Sequence, residues 1–586
     1  MTLSRKILLA VVAVGLAMFM AATAANSRSG PGFKTAQGPM LDPVADGVSY
    51  EPIISVGDTL AGGYMFESIP DGIAYSSNGN GTVDLYVNHE TSTVPFPYTF
   101  NRTNGTGTGF NDFTNSLVSR LRLHQRSGGV LSGSYAITSD QNFQRFCSSF
   151  LATKEHGFDR PLLLTNEEGI DWVNRAGKAW PTTIGSPAAR QIGAAVAVDE
   201  RNGAVRPIWG MGRHNHENSV AIPGYDHPVV LSGDDSFVTT PEQSQLYSYI
   251  ADDSRAVWND EGDLWAFAAD GVDSYFDFPF GSNMSVTGKF VKVPKQIATG
   301  RKADGSDLMA ADVQYPPPPA TGWQTDARTG APIDGPQWIL EHWGDSQAQR
   351  VFEFVRVEDI AYDRRPGMQN VLYVVDSGRG TAEPAPPGLP SPQPNRSTNG
   401  RVWKLVLDKN DPTKVTSFSI LIEGDDAPVK APNEIHQPDN IESTLGSLLI
   451  TEDPGSSQQF PPGSDVPGAP NFDSRATTAR IWQYDLATGT KRVVAKVNQS
   501  ADETAADEDS NPNRGNLGAW ESSGIIDASS IFGPGAFLVD VQAGTFVVDE
   551  EVRQEGPDTL TYQRDGGQLG LLQITDTGPI APAFGG

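Results

Sequence analysis

Val402-Trp-Lys-Leu-Val-Leu407, followed by Asp408-Lys-Asn-Asp411 and then Val415-Thr-Ser-Phe-Ser-Ile-Leu-Ile422, reads as two strands joined by an Asx-rich turn. The phrase returns as Ile481-Trp-Gln-Tyr484, Asp485-Leu-Ala-Thr-Gly489 and Val493 to Val497. A repeated hairpin with an aromatic residue in its first strand resembles the outer strands of a propeller blade, and it predicts an all-β fold.

Further runs extend this pattern in both directions. Thr82 to Val87, Leu117 to Leu123, Pro228 to Leu231, Val351 to Val357, Val371 to Val375, Ser447 to Ile450 and Ala536 to Val539 are strand-length and bounded by turn residues. Gly 61 and Pro 43 among 586 residues exceed ordinary usage, which suits many short strands and opposes a helical bundle. The expected organisation is a single β-propeller over 45–575 with loop and short helical insertions. Pro-rich surface insertions fall at 299–337 and 380–398, a linker at 25–44 and a tail at 576–586.

Lys and Arg number 43 against 71 Asp and Glu, a net charge of −28. Without basic clusters such a chain is unsuited to nucleic acid, whereas cations suit it. One cysteine, Cys147, excludes an intrachain disulfide and a cysteine-paired zinc or iron–sulfur site. Lying between Phe146 and the Ser-Ser-Phe run, it reads as a small buried hydrophobe. Arg5-Lys6, the apolar run Ile7 to Ala22 and the small-residue end Ala22-Thr-Ala24 predict a signal peptide over 1–24. The protein is therefore expected in the periplasm or outside the cell, as a monomer with no further membrane-spanning segment.

No GxSxG elbow, GxxxxGK[ST] loop or HExxH helix occurs. Instead, Asn88-His-Glu90-Thr-Ser92 and Asn215-His-Glu217-Asn-Ser219 share one pattern. Further acidic groups end strand-like runs: Asn166-Glu-Glu168, Asp439-Asn-Ile-Glu442, Thr451-Glu-Asp453, and Glu521 with Asp527. Carboxylates converging from several blades repel one another unless a hard cation such as calcium sits between them. Glu90 and Glu521 enter the candidate set on this ground. The acidic run Asp502 to Asp509 lacks the glycine an EF-hand requires and reads as a solvated loop.

Six phrases occur in the order seen in the PhoX-type alkaline phosphatases: Val87-Asn-His-Glu90, Leu163-Leu-Thr-Asn-Glu-Glu168, Gly212-Arg-His-Asn-His-Glu217, Leu231-Ser-Gly-Asp-Asp235 with Leu246-Tyr-Ser-Tyr249, Pro438-Asp-Asn440 with Leu449-Ile-Thr-Glu-Asp453, and Phe537-Leu-Val-Asp-Val-Gln542. The resemblance spans roughly residues 45 to 550. It implies a six-bladed propeller with calcium in its channel, an iron pair in the best-characterised members, and hydrolysis of small phosphate monoesters. On the matched positions it implies Glu167, Glu168 and Glu217 as metal ligands, with Asp439, Glu452 and Asp453 as further candidates. Arg213 would face the substrate phosphate, and Glu217 would belong to the catalytic set with it.

Two departures qualify the resemblance. Asn166 stands where the family phrase carries an iron-binding cysteine, and only Arg5-Lys6 precedes the apolar run, where twin arginines are common. Both imply a calcium-dominated site poorly suited to iron. The other reading is a non-catalytic calcium-binding propeller of the envelope or extracellular matrix.

Overall fold

The computed structural model describes residues 30–575 apart from 92–98, 102–105, 111–117, 139–140, 142, 175–188, 237–242, 279–282, 320–322, 327–329, 347–348, 379–398, 425–432, 454–476, 500–519 and 556–557. The signal peptide, the insertion at 380–398, the acidic run 502–509 and the tail at 576–586 thus lie outside the described residues.

The fold is all-β and almost wholly antiparallel. Its unit is a four-stranded meander. The first comprises Pro70–Ser77, Thr82–His89, Val118–His124 and Val130–Ile137; the second comprises Phe146–Ala152, Leu162–Glu167, Ala194–Asp199 and Ala204–Arg213. The third runs His216–Ala221, Val229–Asp234, Leu246–Ile250 and Asp263–Ala269. The fourth runs Val357–Tyr362, Val371–Asp376, Arg401–Leu407 and Lys414–Glu423. Pro438–Ser443, Ser447–Glu452, Arg480–Asp485 and Lys491–Val497 form the fifth. The sixth takes Glu521–Asp527, Ala536–Glu555 and Asp558–Ile574, and its fourth strand, Val48–Ser55, comes from the other end of the chain. The first strand of each meander packs against the first strand of the next, and the sixth returns to the first. Leu41–Pro43 adds to the edge of the fifth meander, pairing Leu41 with Val497. Early and late parts of the described residues are therefore joined by backbone ladders, which suits a protein with no disulfide.

The hairpin that opened the sequence reading is present, with Leu405 opposite Phe418. Trp403 stacks on Phe418 with ring centroids 4.9 Å apart, both meet Phe352 and Phe354, and Phe418 also meets Phe267, between the third and fourth meanders. Truncating a buried aromatic residue of this kind costs about 3–5 kcal/mol, so the aromatic in the repeated phrase holds one meander to its neighbour. Many inner strands are covered on both faces and buried along their whole length, as in Ala194–Asp199, whereas outer strands such as Val118–His124 and Val130–Ile137 keep exposed positions. The run Val351 to Val357 departs from expectation. Only its last residue opens a strand, and Phe352 and Phe354 plug the core between meanders. The segment 299–337 carries Trp323 and leads into the helix Pro336–Gly344, whose Trp338 meets Trp323; both rings are buried.

Candidate metal centre

Every first strand carries the same irregularity. In the first meander Pro70 pairs with His89, yet the next ladder pair is Ile73 with Val87, so two residues on one strand, Asp71 and Gly72, oppose one on the other, Asn88. The offset repeats as Phe146 with Glu167 then Ser149 with Thr165, and as His216 with Asp234 then Ser219 with Ser232. It repeats again as Val357 with Asp376 then Ile360 with Val374, and as Pro438 with Glu452 then Ile441 with Ile450. The sixth meander shows it as Ser522 with Val541 then Ile525 with Val539. A bulge of one extra residue re-aims a side chain. The residue after each paired position on the first strand is in turn Asp71, Cys147, Glu217, Glu358, Asp439 and Ser523. Its counterpart beyond the second strand is Glu90, Glu168, Asp235, Ser377, Asp453 and Gln542.

Four of the first strands are entered through a non-glycine residue in the left-handed region: Ile69 (φ 50°), Arg145 (φ 43°), Arg356 (φ 65°) and Gln437 (φ 45°). Such residues are strained. Their carbonyls accept the backbone N–H of Glu90, Glu168, Ser377 and Asp453 at 2.8–2.9 Å, so the strained residues close one edge of the carboxylate ring. Further along the first strands, a cavity of about 60 Å³ is lined by apolar residues such as Ile73, Val220 and Ile441 together with Asp359, Arg364 and Glu442.

Two sets of donor atoms come together closely. Asp71, Glu90 and Cys147 form one and Cys147, Glu168 and Glu217 the other, with the atoms of each set within 4.8 Å of one another. Cys147 belongs to both, and its Sγ lies 2.9 Å from Asp71 Oδ2. Cys147 is buried, as expected of a small hydrophobe, but its neighbours are acidic side chains as well as apolar ones. The bulge that pairs Phe146 with Glu167 sets Cys147 across from Asn166, a proximity that separation along the chain conceals.

The electrostatics are those of negative charge held away from water. Burial pushes Asp71 up to about 6, and Glu90 up to about 8 with Asp71 adding to the effect. Glu168, Glu217, Glu358, Asp439 and Glu521 rise well above the carboxylate range, through burial first and then through repulsion among themselves and their acidic neighbours. The Cys147 thiol is raised by burial and then by Asp71, Glu217, Glu168 and Glu90. Burial opposes the charge of Arg356, but Asp235, Glu358 and Asp453 more than hold it. Its Nε lies 2.9 Å and its Nη2 3.0 Å from the two Asp235 oxygens, and its Nη1 lies 3.2 Å from Asp453.

These residues fit a metal. Their charges repel one another in a buried space, Asp71 Oδ1 has no hydrogen-bond partner among the described residues, and the donors combine hard carboxylate oxygens with one thiol.

Among the expected ligands, Glu90, Glu168 and Glu217 are in these sets, while Asp439, Asp453 and Glu521 stand in the same mutually repelling group. Glu167 and Glu452 do not. Adjacent residues of a strand point to opposite faces, so each points away from its ring neighbour and pins backbone instead. Glu167 accepts the N–H of Gln144 at 3.0 Å and of Ala194 at 3.1 Å. Glu452 accepts from His436 N, Trp482 Nε1 and Arg480, whose guanidinium lies 2.7 Å away. Arg213, expected to face phosphate, is buried against Asp307 at 3.4 Å, packs on Trp209 and donates to the Gln191 carbonyl. The sequence reading passed over Asp71, Asp235, Arg356 and Glu358. Asp235 already stood in one of the six family phrases, whereas no periodicity marks the bulges that select the others.

No curated protein matches the chain. Among solved structures, the α-L-arabinofuranosidase Arb93A from Fusarium graminearum, in complex with an iminosugar inhibitor, aligns over 93% of this chain and 99% of its own, with 7% identity and a TM-score of 0.35. Sqt1 from Saccharomyces cerevisiae aligns over 86% and 97%, with 8% identity and a TM-score of 0.23. Neither likeness is strong enough to argue from. The family model described as alkaline phosphatase PhoX matches residues 174–505, more than half of the chain and including Glu217, Asp235, Arg356 and Glu358. On that match the chain belongs to the PhoX alkaline phosphatase family.

Proposed function

We propose that the protein is an exported, metal-dependent phosphatase acting on small phosphate monoesters, as a monomeric six-bladed propeller with its site at one end of the channel. The ring of first strands with its six repeated bulges supports the propeller reading, and the family match supports the hydrolysis. The observation that carries the reading is the pair of donor sets sharing Cys147. The carboxylates suit calcium and the thiol suits iron, so the objection raised by Asn166 loses its ground. Bound there, the metals would supply Lewis-acid polarisation of phosphoryl oxygens and activation of water.

The chain's own residues contribute orientation and burial. Arg356 places a buried guanidinium charge among these carboxylates, with Nε and Nη2 on Asp235, Nη2 also near Glu358 and Nη1 on Asp453. A phosphate oxygen would meet that charge by taking the place of one of these carboxylates, while the others keep the guanidinium positioned. Glu90, Glu168 and Asp439 are each about 7% exposed, so charge interactions among them are screened less than at the surface. Hydrolysis of p-nitrophenyl phosphate by protein loaded with calcium and iron, alongside elemental analysis, tests the reading. Turnover lost in Glu217→Gln together with bound metal is expected. Stoichiometric calcium with no turnover under any metal would instead leave a structural calcium-binding propeller.

A further inference from the structure

The two donor sets sit at the junctions between the first and second meanders and between the second and third. The residue opposite the bulge, two before the ring position of the second strand, is in turn Asn88, Asn166, Gly233, Val375, Thr451 and Asp540. Asparagine occupies only the two positions that border the donor sets.

Each of these amides reaches across the junction. Asn88 Nδ2 donates to the carbonyls of Cys147 at 2.7 Å and Ser148 at 2.9 Å, and to Thr165 Oγ1 at 2.8 Å. Asn166 Nδ2 donates to the Glu217 carbonyl at 2.6 Å, while its Oδ1 accepts from Ser219 Oγ at 2.9 Å. Asn88 therefore ties the strand bearing Glu90 to the backbone of Cys147, and Asn166 ties the strand bearing Glu168 to the backbone of Glu217. The other four positions show nothing of the kind. Gly233 and Val375 offer no donor, Thr451 Oγ1 bonds back to its own first strand at Asn440 N, and neither Asp540 oxygen has a partner.

We propose that Asn88 and Asn166 are positioning residues that set the spacing between ligands of different meanders within each metal-binding set. The proposal rests on the metal reading above. The physical reason is local. A ligand's side chain can be no better placed than its own backbone, and these two junctions are where ligands from separate sheets must meet. Outer-sphere partners of this kind typically change metal affinity 10–100-fold. Whatever donor the family carries at that place, Asn166 here holds the backbone of Glu217.

The test compares Asn88→Ala and Asn166→Ala with Asn370→Ala, which removes an amide–carbonyl bond of the same type, to Leu407 at 2.7 Å, away from both donor sets. Metal affinity is read by equilibrium dialysis with calcium and with iron, and by the rise in Tm on metal addition, both independent of turnover. Roughly 10–100-fold weaker binding and a smaller Tm rise are expected for Asn88→Ala and Asn166→Ala, with Asn370→Ala lowering Tm alone. If either site variant fails to fold, Ser219→Ala and Thr165→Val remove single partners of the amides and should weaken binding in the same sense. Wild-type affinity in the site variants, or equal loss in Asn370→Ala, overturns the positioning role while leaving the phosphatase reading intact. A wild-type protein that takes up no metal overturns the metal reading, and this inference with it.

Discussion

Cys147 Sγ lies 2.9 Å from Asp71 Oδ2, across the junction of the first and second meanders, although 76 residues separate them in the chain. That contact makes the chain's only thiol the atom common to both donor sets. Cys147→Ser should retain much of the calcium, because a hydroxyl is a hard donor, while iron content and phosphatase activity fall on the order of 100-fold. Metal analysis of the purified variant beside its p-nitrophenyl phosphate rate checks this. Unchanged iron would remove Cys147 from the ligand set.

Glu217 and Glu452 separate ligation from pinning. Glu217→Gln is expected to lower metal content with a modest effect on the metal-free Tm. Glu452→Gln leaves the buried Arg480 without its carboxylate, and breaking a buried pair costs about 3–5 kcal/mol. Urea unfolding should therefore shift for Glu452→Gln while metal stoichiometry holds. The reverse result would mean that strand alternation has been misassigned at Thr451 to Asp453.

Arg356→Lys keeps the charge and loses the fork. Expected is a fall in kcat/KM of roughly 10–100-fold, with metal content unchanged. An unaltered kcat/KM would show that Arg356 serves only to balance Asp235, Glu358 and Asp453.

Away from the site, Asp84 predicts the acid limb of stability. Burial alone would raise its carboxyl, but Arg122 and Arg120 overcome that and hold it at about 2. A carboxyl held below its ordinary value of 3.8 stabilises the fold above about pH 4, and that contribution disappears as pH falls through about 2. Because both arginines are partly exposed, solvent screening reduces the contribution to about 1 kcal/mol. Asp84→Asn should lower stability by that amount at pH 7 and flatten the loss between pH 4 and 2. An acid limb identical to wild type would count against the ion pair.

Much of the fold was legible because it rests on local signals. The Val402 to Ile422 hairpin, its recurrence at Ile481 to Val497 and the turn residues around each strand are short-range features that a single sequence displays. The run Val351 to Val357 misled because buried aromatic side chains between sheets have the same composition as a buried strand. The acidic phrases at strand ends include Glu90, Glu168 and Glu217, which the fold brings together. They did not resolve which member of Glu167-Glu168 or Glu452-Asp453 faces inward, since a one-residue shift of register exchanges the two faces.

By itself the sequence determined the all-β class, the acidic character that disposes the protein toward cations, the family phrases and the stretch of chain they mark. Only the tertiary structure decided which carboxylates meet, that Arg356 and not Arg213 is the guanidinium among them, and that Cys147 stands with Asp71 and Glu217. The physical reason is that strands and turns arise from neighbours in the chain. The clustered carboxylates are brought together by bulges, and each bulge's effect depends on a ladder partner and on the adjoining sheet.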